Sequence, residues 1–373
     1  MSGKWKIVVA ILFIGAAVFF YMRSSHSSDF SPTKIYAVYD QGKVGETAMV
    51  NATIDALKST CPAAEFIIKP NAKFDDLKLD NSPSIIITAG QFGIGLVQSG
   101  NTPNTIKILL CTHQWFDAMK NLRDIFIAIP EHAINADIQK TAQERNLTLI
   151  PTQGVLHTMS VQALAGQNIS AIHLNDAKVG LILGGDAEMP NGKDWQLFNE
   201  DNARKLAKEI AMFIKKTGYK ILITNGPRTG SFINPATKNT NAHRKGELDK
   251  ISAAFIEELH LAGLQKDQDF EFFDFQFDQP SALKAIMDVV LKNKGFMIAP
   301  GESTSSISEI MAVMPAVIYE NDAMNSMHKI FVNKAISNNT AILWPNIPDQ
   351  KLMEAYVPPQ SEAITVVKKL LSA

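Results

Sequence analysis

The residues with most chemistry per unit length lie between Gly295 and Glu309, GFMIAPGESTSSISE. The apolar run Phe296 to Ala299 has the character of a buried strand and stops at Pro300-Gly301. Ile307, Ile310, Met311 and Met314 then recur at helical spacing. The pattern predicts strand, sharp turn and polar helix start. Such a start carries backbone N–H groups without intrahelical acceptors and the positive end of the helix dipole. Ser303, Thr304, Ser305 and Ser306 therefore form either half of a phosphate or nucleotide site or an ordinary turn with a hydroxyl cap.

Other groups that could do chemistry also follow predicted strand ends. His113 follows Ile106–Cys111, Glu131 and His132 follow Ile125–Ile129, and His157 follows Leu147–Pro151. A histidine at such a place either acts as general base, donates to a phosphate or sugar hydroxyl, or is a satisfied structural group. Glu131-His132, held after Pro130, is the pair best placed for acid–base work. Gly184-Gly185 leaves the predicted strand Lys178–Leu183, and Arg228 leaves Lys220–Thr224. Glycines admit close backbone approach, and a guanidinium can clamp phosphate through paired charge-assisted bonds. The histidines lack metal-ligand spacing, so no metal site is expected. Cys61 and Cys111 have no CxxC spacing and are expected to be buried thiols, with one disulfide between them left open.

The elements that must position these groups repeat one unit. Further strands are predicted at Lys34–Tyr39, Glu65–Lys69, Ser84–Ala89, Phe270–Phe275, Ala316–Tyr319 and Ala341–Trp344, separated by helix-length segments. That alternation implies βαβ units and mostly parallel sheets. Helices are expected at Asn199–Lys216, Leu248–Leu261, Ser281–Leu291 and Met324–Ala335, and terminal helical pieces at Leu352–Tyr356 and Ile364–Leu371. With 373 residues, 46% apolar and 20% charged, the chain can fill two domain cores. The expected division is an anchor and spacer over 1–33, domains over 34–175 and 176–345, and a helical segment over 346–373. A net charge of −1 gives no footprint for nucleic acid.

Residues 7–22, IVVAILFIGAAVFFYM, are uncharged, with Lys4, Trp5 and Lys6 before them and Arg23 after. A single-pass membrane anchor over residues 5–22 is expected, with a signal peptide as rival and the side of the membrane left open.

The segments AVYDQGKVGETAMVNATIDAL, PSIIITAGQFG, IAIPEHA, PTQGVLH, LILGGD, ITNGPRTG and APGESTSSISEIMAVMPAVIYE occur in this order. Together, over roughly residues 34–345, they resemble the mitochondrial-fission ELM-like family of bacterial and plant proteins, once grouped as nucleoside-diphosphate-sugar epimerases. The resemblance implies an α/β fold of two Rossmann-like domains facing a cleft (GT-B-like), with a nucleotide-sugar donor on the carboxyl-terminal side. It implies glycosyl transfer from that donor to an acceptor in the cleft, with no permanently bound cofactor, and the expected anchor suggests a lipid or glycan acceptor. By resemblance Gly184 and Gly185 approach donor phosphate. Arg228 matches an arginine of the family's Ser/Thr-Arg-Arg-Thr segment, and Ser303, Ser305, Ser306 and Glu309 match its serine-rich turn and helix start. Glu131 and His132 match its Glu-His. Asn225-Gly226-Pro227 departs from the pattern and leaves one arginine where two are common, and Glu302 stands where the family commonly has Asp. Those departures imply weaker donor binding or a non-catalytic adaptor; sugar-nucleotide epimerisation is a further alternative.

Overall fold

Ser84–Ala89 (SIIITA) is apolar along both faces, which a strand tolerates only when helices cover both sides of its sheet. In the computed structural model all six residues of this strand are buried. Ile85 and Ile87 enter one core and Ile86 the other, as the two-residue period of a strand demands. The structure describes residues 30–373 except 101–104, 166, 168–171, 190–192, 235–236, 239–246, 277–278, 280 and 360.

Two six-stranded parallel sheets result. The first contains β1 (Lys34–Ala37), β2 (Glu65–Ile68), β3 (Ser84–Ala89), β4 (Ile106–Cys111), β5 (Phe126–Pro130) and β6 (Thr148–Thr152). Its spatial order is β2-β1-β3-β4-β5-β6. Then come β7 (Val179–Ile182), the ribbon β8 (Ala187–Glu188) with β9 (Trp195–Gln196), β10 (Ile221–Thr224), and the ribbon β11 (Phe232–Asn234) with β12 (Thr237–Lys238). The chain continues through β13 (Phe270–Phe273), β14 (Phe296–Pro300), β15 (Ala316–Tyr319) and β16 (Ala341–Leu343). The second sheet runs β13-β10-β7-β14-β15-β16. Counted from its own first strand this is 3-2-1-4-5-6, the doubly wound order of dinucleotide-binding domains. Strand order reverses between β1 and β3 in one sheet and between β7 and β14 in the other. Crevices open at the carboxyl ends of the strands beside such reversals.

Local chemistry sets the helix ends. Asn199 caps the helix Glu200–Thr217 by accepting from Asn202 N–H, and Gly218 ends it in the left-handed region at φ 68°. Asn325 accepts from Met327 and His328 N–H, which starts the next-to-last long helix at Ser326 rather than at the expected Met324. Asp249 likewise holds the start of the helix Lys250–Leu261 two residues inside the expected bound. The final helix, Glu362–Ser372, returns to the first sheet. Its Ala363, Val366, Val367 and Leu370 join the core made by Val50, Ile54 and Leu57 of the helix Val44–Thr60. Both cysteines are free thiols.

The anchored architecture is corrected. Among the described residues no helix is long and apolar enough to cross a membrane. Residues 5–22, which are expected to supply one, lie outside the described residues. The membrane localisation, membrane contact and membrane-associated acceptor that rest on this anchor are dropped with it.

The returning helix should be integral to the first core. Leu370→Ala, at a side chain with no solvent exposure, is expected to cost about 2–4 kcal/mol. Urea unfolding monitored by far-UV circular dichroism measures it, and an unchanged midpoint would place that helix outside the cooperative unit.

Candidate functional site

The carboxyl rims of the two sheets face each other. A Cβ built on Gly45, in the first turn of the helix after β1, would stand 3.9 Å from Ser305 Oγ, in the first turn of the helix after β14. Val155 N–H donates to Ser308 Oγ at 3.1 Å. Gln91 Nε2 reaches Glu188 Oε1 at 3.3 Å. Glu131 pairs with Lys334, and the His132 ring lies 4.9 Å from that of Phe331. Strand exits of both sheets therefore meet along one crevice.

On the second sheet the rim is organised by Glu302, whose buried carboxylate accepts from Gly185 N–H at 2.7 Å and from Asn321 Nδ2 at 2.6 Å. Burial pushes its carboxyl up, while Asn321, the Gly185 amide and the charge of Arg228 pull it back. Gly185 has to be glycine: a Cβ there would fall 2.9 Å from Arg228 Cβ and 3.0 Å from the Arg228 carbonyl carbon. Asp186 N–H donates to Arg228 O at 3.0 Å. Gly184 is buried against the Phe198 ring. The diglycine thus brings the Arg228 loop close, and the Gly185 amide that the sequence reading assigns to phosphate is already taken by Glu302. Arg228 itself is exposed on the rim.

The turn after β14 leads into the helix Thr304–Met311. Its N-cap, Ser303, makes no side-chain cap and instead donates from Oγ to Ser306 Oγ at 2.8 Å. The first amides of the helix are left to an external acceptor. Thr304 is buried, Ser303, Ser305 and Ser306 are half-buried, and Ser308 is committed to Val155 and to Thr304 O. Glu309 is half-buried on the same helix; burial pushes its carboxyl up to about 7, with Lys284 acting against it.

Both halves contribute imidazoles. Burial, then the charge of Arg228, pushes His113 down to about 3. His132 falls to about 4 through burial and the charge of Lys334. His328, which the sequence reading left out, falls to about 4 through burial and Arg228. These three are neutral at pH 7 and share the field of one arginine or of each other. His328 Nδ1 accepts from Asn325 N–H at 3.1 Å, so its proton sits on Nε2. His157 stands apart: Nδ1 accepts from Met159 N–H at 3.2 Å and the ring also bonds the Ser308 backbone. It pins the two halves together. Glu131 is spent on Lys334 and does not orient His132.

Six buried side-chain polar atoms among the described residues lack a hydrogen-bond partner: Glu46 Oε2, Thr88 Oγ1, Gln114 Nε2, His132 Nδ1, Gln196 Oε1 and Asn325 Nδ2. All six belong to the last residues of rim-directed strands or to the segments that leave them. Native folds pair nearly all buried polar groups, so the orphans on strand exits, on Glu46, Gln114, His132 and Asn325, mark places for a polar ligand. Sequence reading missed Glu46, Gln114 and Asn325. The only signal was their position after strands, which many surface residues share. Side chains with metal-ligand spacing, His173, Asp267 and Glu271, lie at the opposite, amino-terminal edge. There Glu271 already accepts from His173 and Leu174 N–H.

No protein-family model matches this chain, and no curated protein matches it. Solved structures similar to it include a UDP-GlcNAc 2-epimerase from Neisseria meningitidis bound to UDP-GlcNAc, with 10% identity, TM-score 0.41 and coverage of 91% of this chain and 99% of that one. A conserved domain protein from Vibrio cholerae has 12% identity, TM-score 0.25 and coverage of 90% and 97%. An ABC transporter solute-binding protein from Aeropyrum pernix has 10% identity, TM-score 0.28 and coverage of 91% and 85%. These likenesses are loose, and nothing below rests on them.

Glu302→Gln should destabilise the protein by about 1–3 kcal/mol, because one of two buried donors would then face an amide N–H₂. Thermal unfolding reads this; a shift near zero would deny Glu302 its tethering role. The histidines give a pH signature. Their folded values lie below the ordinary 6.5, so the unfolded chain binds more protons between 6.5 and about 4. Stability should drop as the pH is lowered through that window, by up to about 1.4 kcal/mol per unit for each histidine at the steepest. Glu309, between its ordinary value and about 7, opposes this, as do the Glu46, Glu302 and Glu362 carboxyls that burial also pushes up. A lower urea midpoint at pH 5 than at pH 7 is expected.

Proposed function

We propose that the crevice binds a nucleoside-diphosphate sugar and that the protein is an enzyme acting at the bond between its diphosphate and its sugar. The observation that carries this reading is the concentration of unpaired buried polar atoms on facing strand exits, beside an exposed arginine and an uncapped helix start. The order of motifs shared with the ELM-like family agrees with it. The diphosphate would lie against the first amides of the helix Thr304–Met311, the hydroxyls of Ser303, Ser305 and Ser306, and Arg228. Charge develops on a diphosphate as its bond to the anomeric carbon breaks, and fixed donors in a low-dielectric crevice stabilise that charge without reorganising. Gly184 and Gly185 act indirectly by seating the Arg228 loop. Glu309 would accept from ribose hydroxyls.

His113 and His132 suit hydrogen-bond donation better than proton abstraction. A general base works best with a value near the operating pH, and theirs, about 3 for His113 and about 4 for His132, lie well below it. An anion beside Arg228 would offset part of the positive field on His113 and His328 and raise both.

Isothermal calorimetry with UDP-, GDP-, ADP- and dTDP-sugars tests the reading, and binding of none of them would overturn it. Arg228→Ala should weaken a bound nucleoside diphosphate by about 10- to 100-fold, the range for a lost hydrogen bond to a charged group. Its thermal midpoint should stay near that of the parent because the side chain is exposed.

A further inference from the structure

Glu46 has no role in the site as drawn so far, yet it is the most unusual group on the first rim. It lies in the first turn of the helix Val44–Thr60, next to the Gly45 that faces Ser305. Its residue is 7% exposed. Oε1 takes the Lys43 ammonium at 3.3 Å, and Oε2 accepts nothing. Its carboxylate is packed onto Gly90, the first residue of the helix Gly90–Ser99, where a Cβ would come within 2.0 Å of Oε1. Gly90 is in the left-handed region at φ 55°, so backbone conformation and missing side chain both make room for the acid. Oε2 does not cap that helix, since it has no hydrogen-bond partner. The position is the strand-order reversal of the first sheet, between the exits of β1 and β3.

The surroundings select the ligand group. Burial pushes the Glu46 carboxyl up, Lys43 pulls it back, and Asp40 and, from the second half, Glu188 add like charge. A carboxyl oxygen accepts hydrogen bonds from hydroxyls, and an anion beside three acidic side chains is disfavoured. Phosphate therefore belongs at the other wall, near Arg228 and the Thr304 helix start. Neutral hydroxyls belong here.

We propose that Glu46 is the sugar-recognising residue of the crevice: its free carboxylate oxygen accepts a hydrogen bond from a hydroxyl of the glycosyl group while the diphosphate rests on the opposite wall. The proposal depends on the nucleotide-sugar reading and adds to it the direction in which the ligand lies, sugar toward the first sheet.

Calorimetry on the full chain separates the two levels. The probes are UDP-glucose, UDP-N-acetylglucosamine, GDP-mannose and dTDP-glucose, each beside its bare nucleoside diphosphate. Glu46→Ala should weaken the best-binding nucleotide sugar about tenfold or more, the size of a hydrogen bond to a charged acceptor. Its bare diphosphate should change less than about twofold, since no contact to it is lost. Glu46→Gln keeps an acceptor oxygen and should retain part of the sugar-dependent affinity. Equal weakening of both ligands with a lowered thermal midpoint would mark a structural carboxylate and overturn the proposal. Unchanged affinity for both in Glu46→Ala would overturn it as well, while leaving the nucleotide-sugar reading standing. Wild type that binds no probe would remove both.

Discussion

One buried carboxylate ties together three strand exits of the second sheet. Glu302 leaves β14, accepts from the Gly185 amide after β7, and accepts from Asn321 after β15. A buried charge is tolerated only when its lone pairs are filled by well-placed donors. The Gly184-Gly185 turn and Asn321 are thereby fixed relative to the turn that begins the helix Thr304–Met311. Arg228 follows because its loop is packed onto Gly185 and bonded to the Asp186 amide. The cationic wall of the crevice is a consequence of this small internal network.

The same network explains a division of labour between anions inside and outside the protein. Gly-rich strand exits usually present amides to a ligand. Here Glu302 takes the Gly185 amide, and the Glu46 carboxylate is packed onto Gly90 at the corresponding exit of the first sheet. What remains for an incoming anion is the helix start at Thr304 and the arginine. Around them, His113, His132 and His328 stay neutral through burial and mutual or cationic repulsion. The crevice is thus rich in donors without carrying a large fixed positive charge.

Much of the architecture was legible because parallel strands buried on both faces leave unbroken apolar runs. Ser84–Ala89, Ile106–Cys111 and Ala316–Tyr319 have the bounds their sequences predict. Helix starts were less legible, since Asn325 and Asp249 cap from positions that look like loop polarity alone. Spatial order was illegible: nothing local says that β3 pairs with β1 while β2 stands at the edge. The site was legible as positions and not as partners. Glu131 beside His132 suggests an acid–base pair, yet Lys334, two hundred residues on, claims the carboxylate. Glu46 offered only its place in the turn after a strand, because its isolation depends on Gly90 and on atoms brought there by folding.

The last helix has a mechanical corollary. The chain passes from the first half to the second between β6 and β7, and passes back after β16 so that Glu362–Ser372 can pack on the helix Val44–Thr60. Two covalent crossings joining the same pair of bodies limit how far one half can twist or slide against the other. Gln153 with Glu362 fastens the returning helix to the first sheet, and Val155 with Ser308 fastens the first half to the second. A ligand entering the crevice would meet walls held in register at both crossings.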